Sequence, residues 1–212
     1  MPNDLQIILQ LQKRSGEFEY KINNNKVIEL FIQHQVIKPK DLQLIGELTN
    51  LEELYLRLNQ ISKIEGLNGL TGLRELRLYN NQIEKIEGLN GLTNLQELQL
   101  SHNQISKIEG LNSLTNLREL RLDDNEISKI EGLEKLTNLR ELWLDGNDIT
   151  KIEGLDNLYN LQELHLDDNK ISKIEGLEGL TGLRELRLRH NQIPKSQIDD
   201  FKKQNPYIQI YG

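Results

Sequence analysis

Leu73-Arg-Glu-Leu-Arg-Leu-Tyr-Asn-Asn-Gln-Ile-Glu-Lys-Ile-Glu-Gly-Leu-Asn-Gly-Leu-Thr-Asn94 decides the architecture, because close copies of it follow one another along most of the chain. Count positions from the first leucine of each copy. Positions 1, 4, 6, 11, 14, 17 and 20 are aliphatic, here Leu73, Leu76, Leu78, Ile83, Ile86, Leu89 and Leu92. Position 9 is asparagine at Asn59, Asn81, Asn103, Asn125, Asn147, Asn169 and Asn191, each 22 residues after the last. A fixed period near this length marks a stack of similar units, each unable to bury its apolar face alone. Positions 4 and 6 alternate with polar 3, 5 and 7, which predicts a short strand with one buried face. Every copy runs the same way round the coil, so the strands are parallel. The following Ile-Ser-Lys-Ile-Glu-Gly-Leu is too short for a helix and predicts turns or 3₁₀ pieces on the convex side. Gly66, Gly88, Gly110, Gly132, Gly154 and Gly176 recur at one place, where φ > 0 or a close backbone approach is required.

Working outward, Val27–Ile37 fits the template with Gln35 in place of asparagine, and lies 24 residues before the next copy, the extra residues falling near Pro39. Glu17–Ile22 alternates and Asn23-Asn24-Asn25 signals a turn, so a hairpin strand caps the first edge, with Asp4–Lys13 helical beside it. At the far end Ser196-Gln197-Ile198-Asp199 resembles a capping box opening a helix to about Gln204, and Tyr207–Ile210 reads as a last strand. The expectation is one domain over residues 1–212: cap 1–26, eight repeats over 27–193 with the first degenerate, and cap 194–212. The fold class is an α/β repeat solenoid, a right-handed coil with a parallel sheet on its concave face.

The copies can be compared with one another, column by column. Convex positions barely change: position 13 is lysine from Lys63 to Lys195, and position 15 is glutamate from Glu65 to Glu175. Sheet-face positions differ. Position 5 reads Tyr55, Arg77, Gln99, Arg121, Trp143, His165, Arg187, and position 7 reads Arg57, Tyr79, Ser101, Asp123, Asp145, Asp167, Arg189. Position 8 reads Leu58, Asn80, His102, Asp124, Gly146, Asp168, His190. This contrast points to a face diversified for a ligand. The candidate partner-binding residues are Tyr55, Arg77, Tyr79, Arg121, Asp123, Trp143, Asp145, His165, Asp167 and Arg187. An exposed Trp143 among carboxylates suits a partner with a basic group beside an apolar anchor. The asparagine column reads as structural. Position 3 is glutamate in every copy, from Glu29 to Glu185, a repulsive row that arginines at positions 2 and 5 offset.

Net charge −7 and a pI of about 5.3 argue against sequence-independent nucleic-acid binding. No cysteine is present, so disulfides and thiolate metal sites are excluded, which fits a reducing compartment. The apolar run at Ile7–Leu9 is too short for a signal or a span, and a cytoplasmic monomer with no membrane contact is expected. No nucleophile elbow, phosphate loop or His-Glu-x-x-His occurs. Asp123–Glu126 lacks the glycine of a calcium loop, and His34, His102 and His190 lie repeats apart. Only His165 has acidic neighbours in the pattern. No cofactor and no metal are expected.

The motif Leu-Thr-Asn-Leu-Arg-Glu-Leu-x-Leu-x-x-Asn-x-Ile-Ser-Lys-Ile-Glu-Gly-Leu resembles the 22-residue class of leucine-rich repeats, shared by bacterial internalins and the regulatory subunit of type-1 protein phosphatase. The resemblance spans residues 27–193. It implies a non-catalytic module that holds a protein or peptide on its concave sheet, and in the phosphatase regulator the acidic and aromatic columns correspond to Trp143, Asp145 and Asp167. The alternatives are a consensus-like or designed scaffold with no dedicated ligand and, more remotely, a metal-dependent enzyme centred on His165.

Overall fold

The period-two pattern of each copy gives a three-residue strand, and the strands stack into one sheet. The computed structural model describes residues 3–212. A helix α1 (Asp4–Ser15) leads into a hairpin of β1 (Glu19–Asn23) and β2 (Lys26–Phe31), then a helix α2 (Pro39–Ile45). Seven short strands follow: β3 (Glu53–Tyr55), β4 (Glu75–Arg77), β5 (Glu97–Gln99), β6 (Glu119–Arg121), β7 (Glu141–Trp143), β8 (Glu163–His165) and β9 (Glu185–Arg187). Helix α3 (Lys195–Gln204) and strand β10 (Gln209–Tyr211) close the far end. All ten strands form one sheet in sequence order. Strand β1 is antiparallel to β2, and every later pairing is parallel. The register places like on like, Glu75 beside Glu97 and Leu76 beside Leu98, so each position forms a straight column across the sheet.

The aliphatic columns fill the coil. In the second copy Leu73, Leu76, Leu78, Ile83, Ile86, Leu89 and Leu92 are all buried, and the equivalents in the other coils join them in one continuous cluster. The convex return is a series of single turns: Leu70 N donates to Leu67 O and Leu73 N to Leu70 O, at 3.0 Å each. Gly88 meets two demands there. Its φ is 71°, and a Cβ would come within 2.2 Å of the Ile64 carbonyl oxygen of the preceding coil.

The asparagine column runs through the interior. Asn147 Nδ2 donates to Leu144 O in its own coil (3.1 Å) and to Leu122 O in the coil before (2.9 Å), while its Oδ1 accepts from Ile127 N (2.9 Å). The same three bonds recur at Asn103, Asn169 and Asn191. One amide thus pairs backbone groups that the turn leaves without a ladder partner. A second asparagine column, at position 22, stitches neighbouring coils outside the core: Asn116 Nδ2 donates to Thr93 O (2.8 Å) and Asn138 Nδ2 to Thr115 O (2.9 Å).

The first edge is more built than the sequence suggests. Asn3 and Gln6 form a capping box on α1, whose Ile7, Ile8 and Leu11 cover the first coil. Buried Asp4 accepts from Val27 N at 2.9 Å and so fixes the helix to the hairpin. The extra residues near Pro39 form α2, whose start Asp41 ties down by accepting from Lys38 N (3.0 Å) while pairing with Arg14 (3.2 Å). At the other edge Ile174 and Leu177 are only partly buried beneath α3.

Candidate binding face

On strands this short, positions 3, 5 and 7 face away from the core, and like residues sit one strand apart, ~4.8 Å. At that spacing flat side chains stack. Column 5 does so over most of the sheet. Phe31 and Tyr55 stack with centroids 4.4 Å apart, and the Arg77 guanidinium lies 4.9 Å from the Tyr55 ring. After Gln99 the stack resumes: Arg121 lies 4.1 Å from the Trp143 ring, and Trp143 is 4.0 Å from His165. Arg187 sits one strand beyond His165 and over Tyr211 at 5.4 Å. Six of the candidate residues, Tyr55, Arg77, Arg121, Trp143, His165 and Arg187, therefore belong to this column.

Stacking changes two expectations. Trp143 is half-buried between its neighbours rather than exposed. His165 is buried, with 1% of its surface accessible, and its ring nitrogens have no hydrogen-bond partner. Asp145 is 3.8 Å from Nδ1, and Glu185 and Glu163 are 3.4 and 3.8 Å from Nε2. Burial, followed by the nearby Arg187 charge, lowers the imidazole to about 4, so it is neutral at physiological pH.

Column 7 carries the other four candidates, Tyr79, Asp123, Asp145 and Asp167. The Tyr79 hydroxyl accepts from Arg57 at 2.6 Å, and with Phe31, Tyr55 and Arg77 it lines a hollow of about 280 Å³ near the first edge. Asp145 Oδ1 accepts from Asp167 N (2.7 Å) and Asp167 Oδ1 from Arg189 N (2.6 Å), so each carboxylate holds the coil after it. Asp123 accepts from the Ser101 hydroxyl at 2.6 Å. Burial pushes the Asp145 carboxyl up to about 6, against the pull of its Asp167 N–H bond; Asp167 and Asp123 add to the rise.

Column 3 is the row of glutamates, half-buried beside column 5. Burial and the flanking glutamates raise Glu97 and Glu141 above the usual carboxylate range. Arginines at position 5 offset the row as expected: Arg121 reaches Glu119 at 2.5 Å, Arg187 reaches Glu185 at 2.7 Å, and Arg77 pairs with Glu75. Those at position 2 do not. Arg74 pairs with Glu52 at 3.7 Å, and Arg118, Arg140 and Arg184 reach no carboxylate among the described residues.

Column 8 has a different explanation from the one its variety suggests. His34, Leu58, Asn80, His102, Asp124, Gly146, Asp168 and His190 all have φ between 53° and 63°. Asparagine, aspartate, histidine and glycine are the residues that tolerate this left-handed backbone, so the scatter there reflects conformation. The histidines in it also have acidic company that the spacing hid. His190 Nδ1 is 2.8 Å from Asp168 and His102 Nδ1 is 3.3 Å from Asp124. With Asp123, His102 and Asp124 make the one group among the described residues whose side chains converge closely enough to share a cation, and it is exposed. Pairing across coils is invisible in a linear reading, but a two-column table of positions 7 and 8 would have shown it.

The family model for leucine-rich repeats, a unit of two copies, matches residues 49–91, 93–135, 115–157 and 159–203. Among solved structures, internalin C2 from Listeria monocytogenes is 31% identical with a TM-score of 0.71, over 89% of this chain and 85% of that one. A leucine-rich-repeat protein from Leptospira interrogans is 26% identical (TM-score 0.65) over 80% of this chain and 51% of its own. TLR13, in a complex with ssRNA13, is 29% identical (TM-score 0.67) over 71% of this chain and 23% of its own. No curated protein matches the sequence.

Proposed function

The chain belongs to the leucine-rich-repeat family, and on that premise we propose that it holds a protein or peptide partner on its concave sheet without catalysing a reaction. The observation that carries this reading is the row Asp123, Asp145 and Asp167 beside the Trp143–His165 stack. The Arg121 and Arg187 guanidiniums of the adjacent column are already turned to Glu119 and Glu185, and Arg189, next in the row, lies over Tyr211. Burial, with the neighbouring Asp167 and Asp123 adding to it, leaves the Asp145 carboxyl raised, so a cation brought to the row is favoured. A partner presenting lysine or arginine supplies that charge and gains on-rate from it. Tyr55, Tyr79 and Arg77 at the first edge offer a separate aromatic contact for the partner's apolar side chains. A rigid coil loses little entropy on binding, so a few anchors suffice.

Phosphate backbones fit poorly against this acidic centre, although TLR13 is an RNA-bound relative in fold. The enzyme reading centred on His165 loses support because the imidazole has almost no accessible surface from which to present a metal to a substrate. The reading takes the chain as a cytoplasmic monomer. No helix among the described residues is long and apolar enough to cross a membrane.

A specific observation favours a second reading, a scaffold with no dedicated ligand: Asp145 and Asp167 also serve the backbone, and the column 5 stack satisfies itself. Affinity capture with wild type and the Tyr79→Ala, Trp143→Ala, Asp145→Ala triple variant separates the two. A partner retained by wild type and lost by an equally folded variant supports the binding face. Equal capture by both moves the site off this face, and no partner with either supports the scaffold.

A further inference from the structure

Arg118, Arg140 and Arg184 differ from the other arginines of the chain. Arg14, Arg74, Arg77, Arg121 and Arg187 pair with carboxylates, Arg57 bonds Gln33 and Tyr79, and Arg189 lies over Tyr211. The three have no side-chain hydrogen bond, ion pair or ring contact among the described residues. They remain unpaired although Asp and Glu outnumber Lys and Arg 33 to 26. All three stand in column 2, outside the sheet face.

Column 2 is one wall of a groove of about 620 Å³ that runs across the coils. Arg74, Arg118 and Arg140 rise on that wall, with Gln96 and Gln162 between and beyond them. The opposite wall is the second asparagine column, Asn94, Asn116, Asn138 and Asn160. Each of these amides spends its Nδ2 on a threonine carbonyl of the coil before, at 2.8–2.9 Å, and its Oδ1 accepts from no donor among the described residues. One wall therefore offers charged donors and the other offers acceptors, over several consecutive coils.

We propose that this groove is an interaction surface for an extended acidic segment of a partner protein. Carboxylates on one side of such a segment meet the guanidiniums, and its backbone N–H groups meet the asparagine oxygens. Side chains on one face of an extended peptide recur every ~6.8 Å, and long flexible arms bring these onto arginines roughly 5 and 10 Å apart, one and two coils along the column. A peptide backbone presents its N–H groups at a regular strand spacing to the asparagine oxygens, whereas the regular backbone of a nucleic acid presents phosphate acceptors there. The surface is independent of the concave face, and a partner spanning both would bind the groove with its acidic part and the sheet with its basic part.

The test is to pan a phage-displayed library of random decapeptides on the wild-type chain. Enriched peptides are then titrated against wild type, Arg118→Glu/Arg140→Glu and Trp143→Ala/Asp145→Ala, all checked to be folded by a cooperative thermal transition. The expected result is Asp- and Glu-rich peptides that bind the arginine variant about tenfold or more weaker, as loss and reversal of exposed ion pairs dictates, and bind the sheet-face variant unchanged. No acidic enrichment, or acidic peptides indifferent to the arginine substitutions, overturns the proposal. So does oligothymidylate competing as well as the peptides, which would make the groove a general polyanion site. Because the sheet-face variant is scored separately, failure here leaves the concave-face reading standing, and the reverse holds.

Discussion

Column 9 and column 5 stand four residues apart in every coil, yet one is asparagine seven times and the other changes at almost every copy. The interior column answers to the backbone: each coil presents the same carbonyl and the same N–H to the asparagines, and each amide bonds that carbonyl in its own coil and in the one before. The sheet-face column answers to its neighbours across the sheet, and several combinations of ring and guanidinium stack equally well. Invariance thus marks a demand made by every coil, and variation marks freedom, or selection, above the core. Column 8 is the exception, outwardly varied but bound to a left-handed backbone.

Substitutions in the two columns sharpen the contrast. Leu142→Ala, beneath Trp143, opens a cavity in the core and should lower stability by about 2–5 kcal/mol in urea unfolding. Asn147→Ala strands Ile127 N and leaves Leu122 O and Leu144 O with one asparagine donor each, from Asn125 and Asn169, and should cost about 1–3 kcal/mol. Gln99→Ala and Tyr79→Ala on the face should stay within about 0.5 kcal/mol. Equal losses from Asn147→Ala and Gln99→Ala would break the comparison.

Between these extremes lies Asp145, which serves both the face and the backbone. Its carboxyl sits at about 6 when folded and 3.8 otherwise. The folded chain therefore holds a proton the unfolded chain releases, and the associated stability is full below the lower value and lost as pH rises through the upper one. Asp145→Asn keeps an oxygen for Asp167 N and should raise stability by roughly 1–2 kcal/mol at pH 7.5, a gain that disappears by pH 4. His165 runs the other way. Held at about 4 against 6.5, it makes the wild type lose stability as pH falls between those values, and His165→Phe should flatten that limb in pH-dependent thermal melts. The smallest effect belongs to column 8. Leu58, at φ 59° with no polar side-chain atom to hydrogen-bond the local backbone, is the poorest fit of that column, so Leu58→Asn should stabilise by about 0.5–1 kcal/mol.

The coil was legible because its rules repeat. Spacing alone places Leu76, Asn81 and Gly88, and seven copies confirm each position against the others. Helix α2 escaped notice because it occurs once, in the first return, where Pro39 reads as a simple insertion. The face was legible as a set of columns and illegible as a set of contacts. Trp143 and His165 lie 22 residues apart in sequence and 4.0 Å apart in space, and burial of His165 depends on the rings and guanidiniums of other coils. The position 2 arginines show the same limit: proximity to the glutamate row in sequence suggested a partnership that the strand edge does not permit.

Trp143 is the only tryptophan of the chain and stands at the centre of the acidic zone, so its emission reports directly on that face. The decisive measurement is titration with an arginine-rich nonapeptide carrying one leucine anchor, followed by Trp143 fluorescence at low and high salt. The predicted result is a saturable change that weakens with salt and vanishes in Asp145→Asn/Asp167→Asn, while a glutamate-rich counterpart leaves the emission unaltered. Emission indifferent to the basic peptide, or answering equally in the double variant, would contradict a concave face built to hold a basic partner.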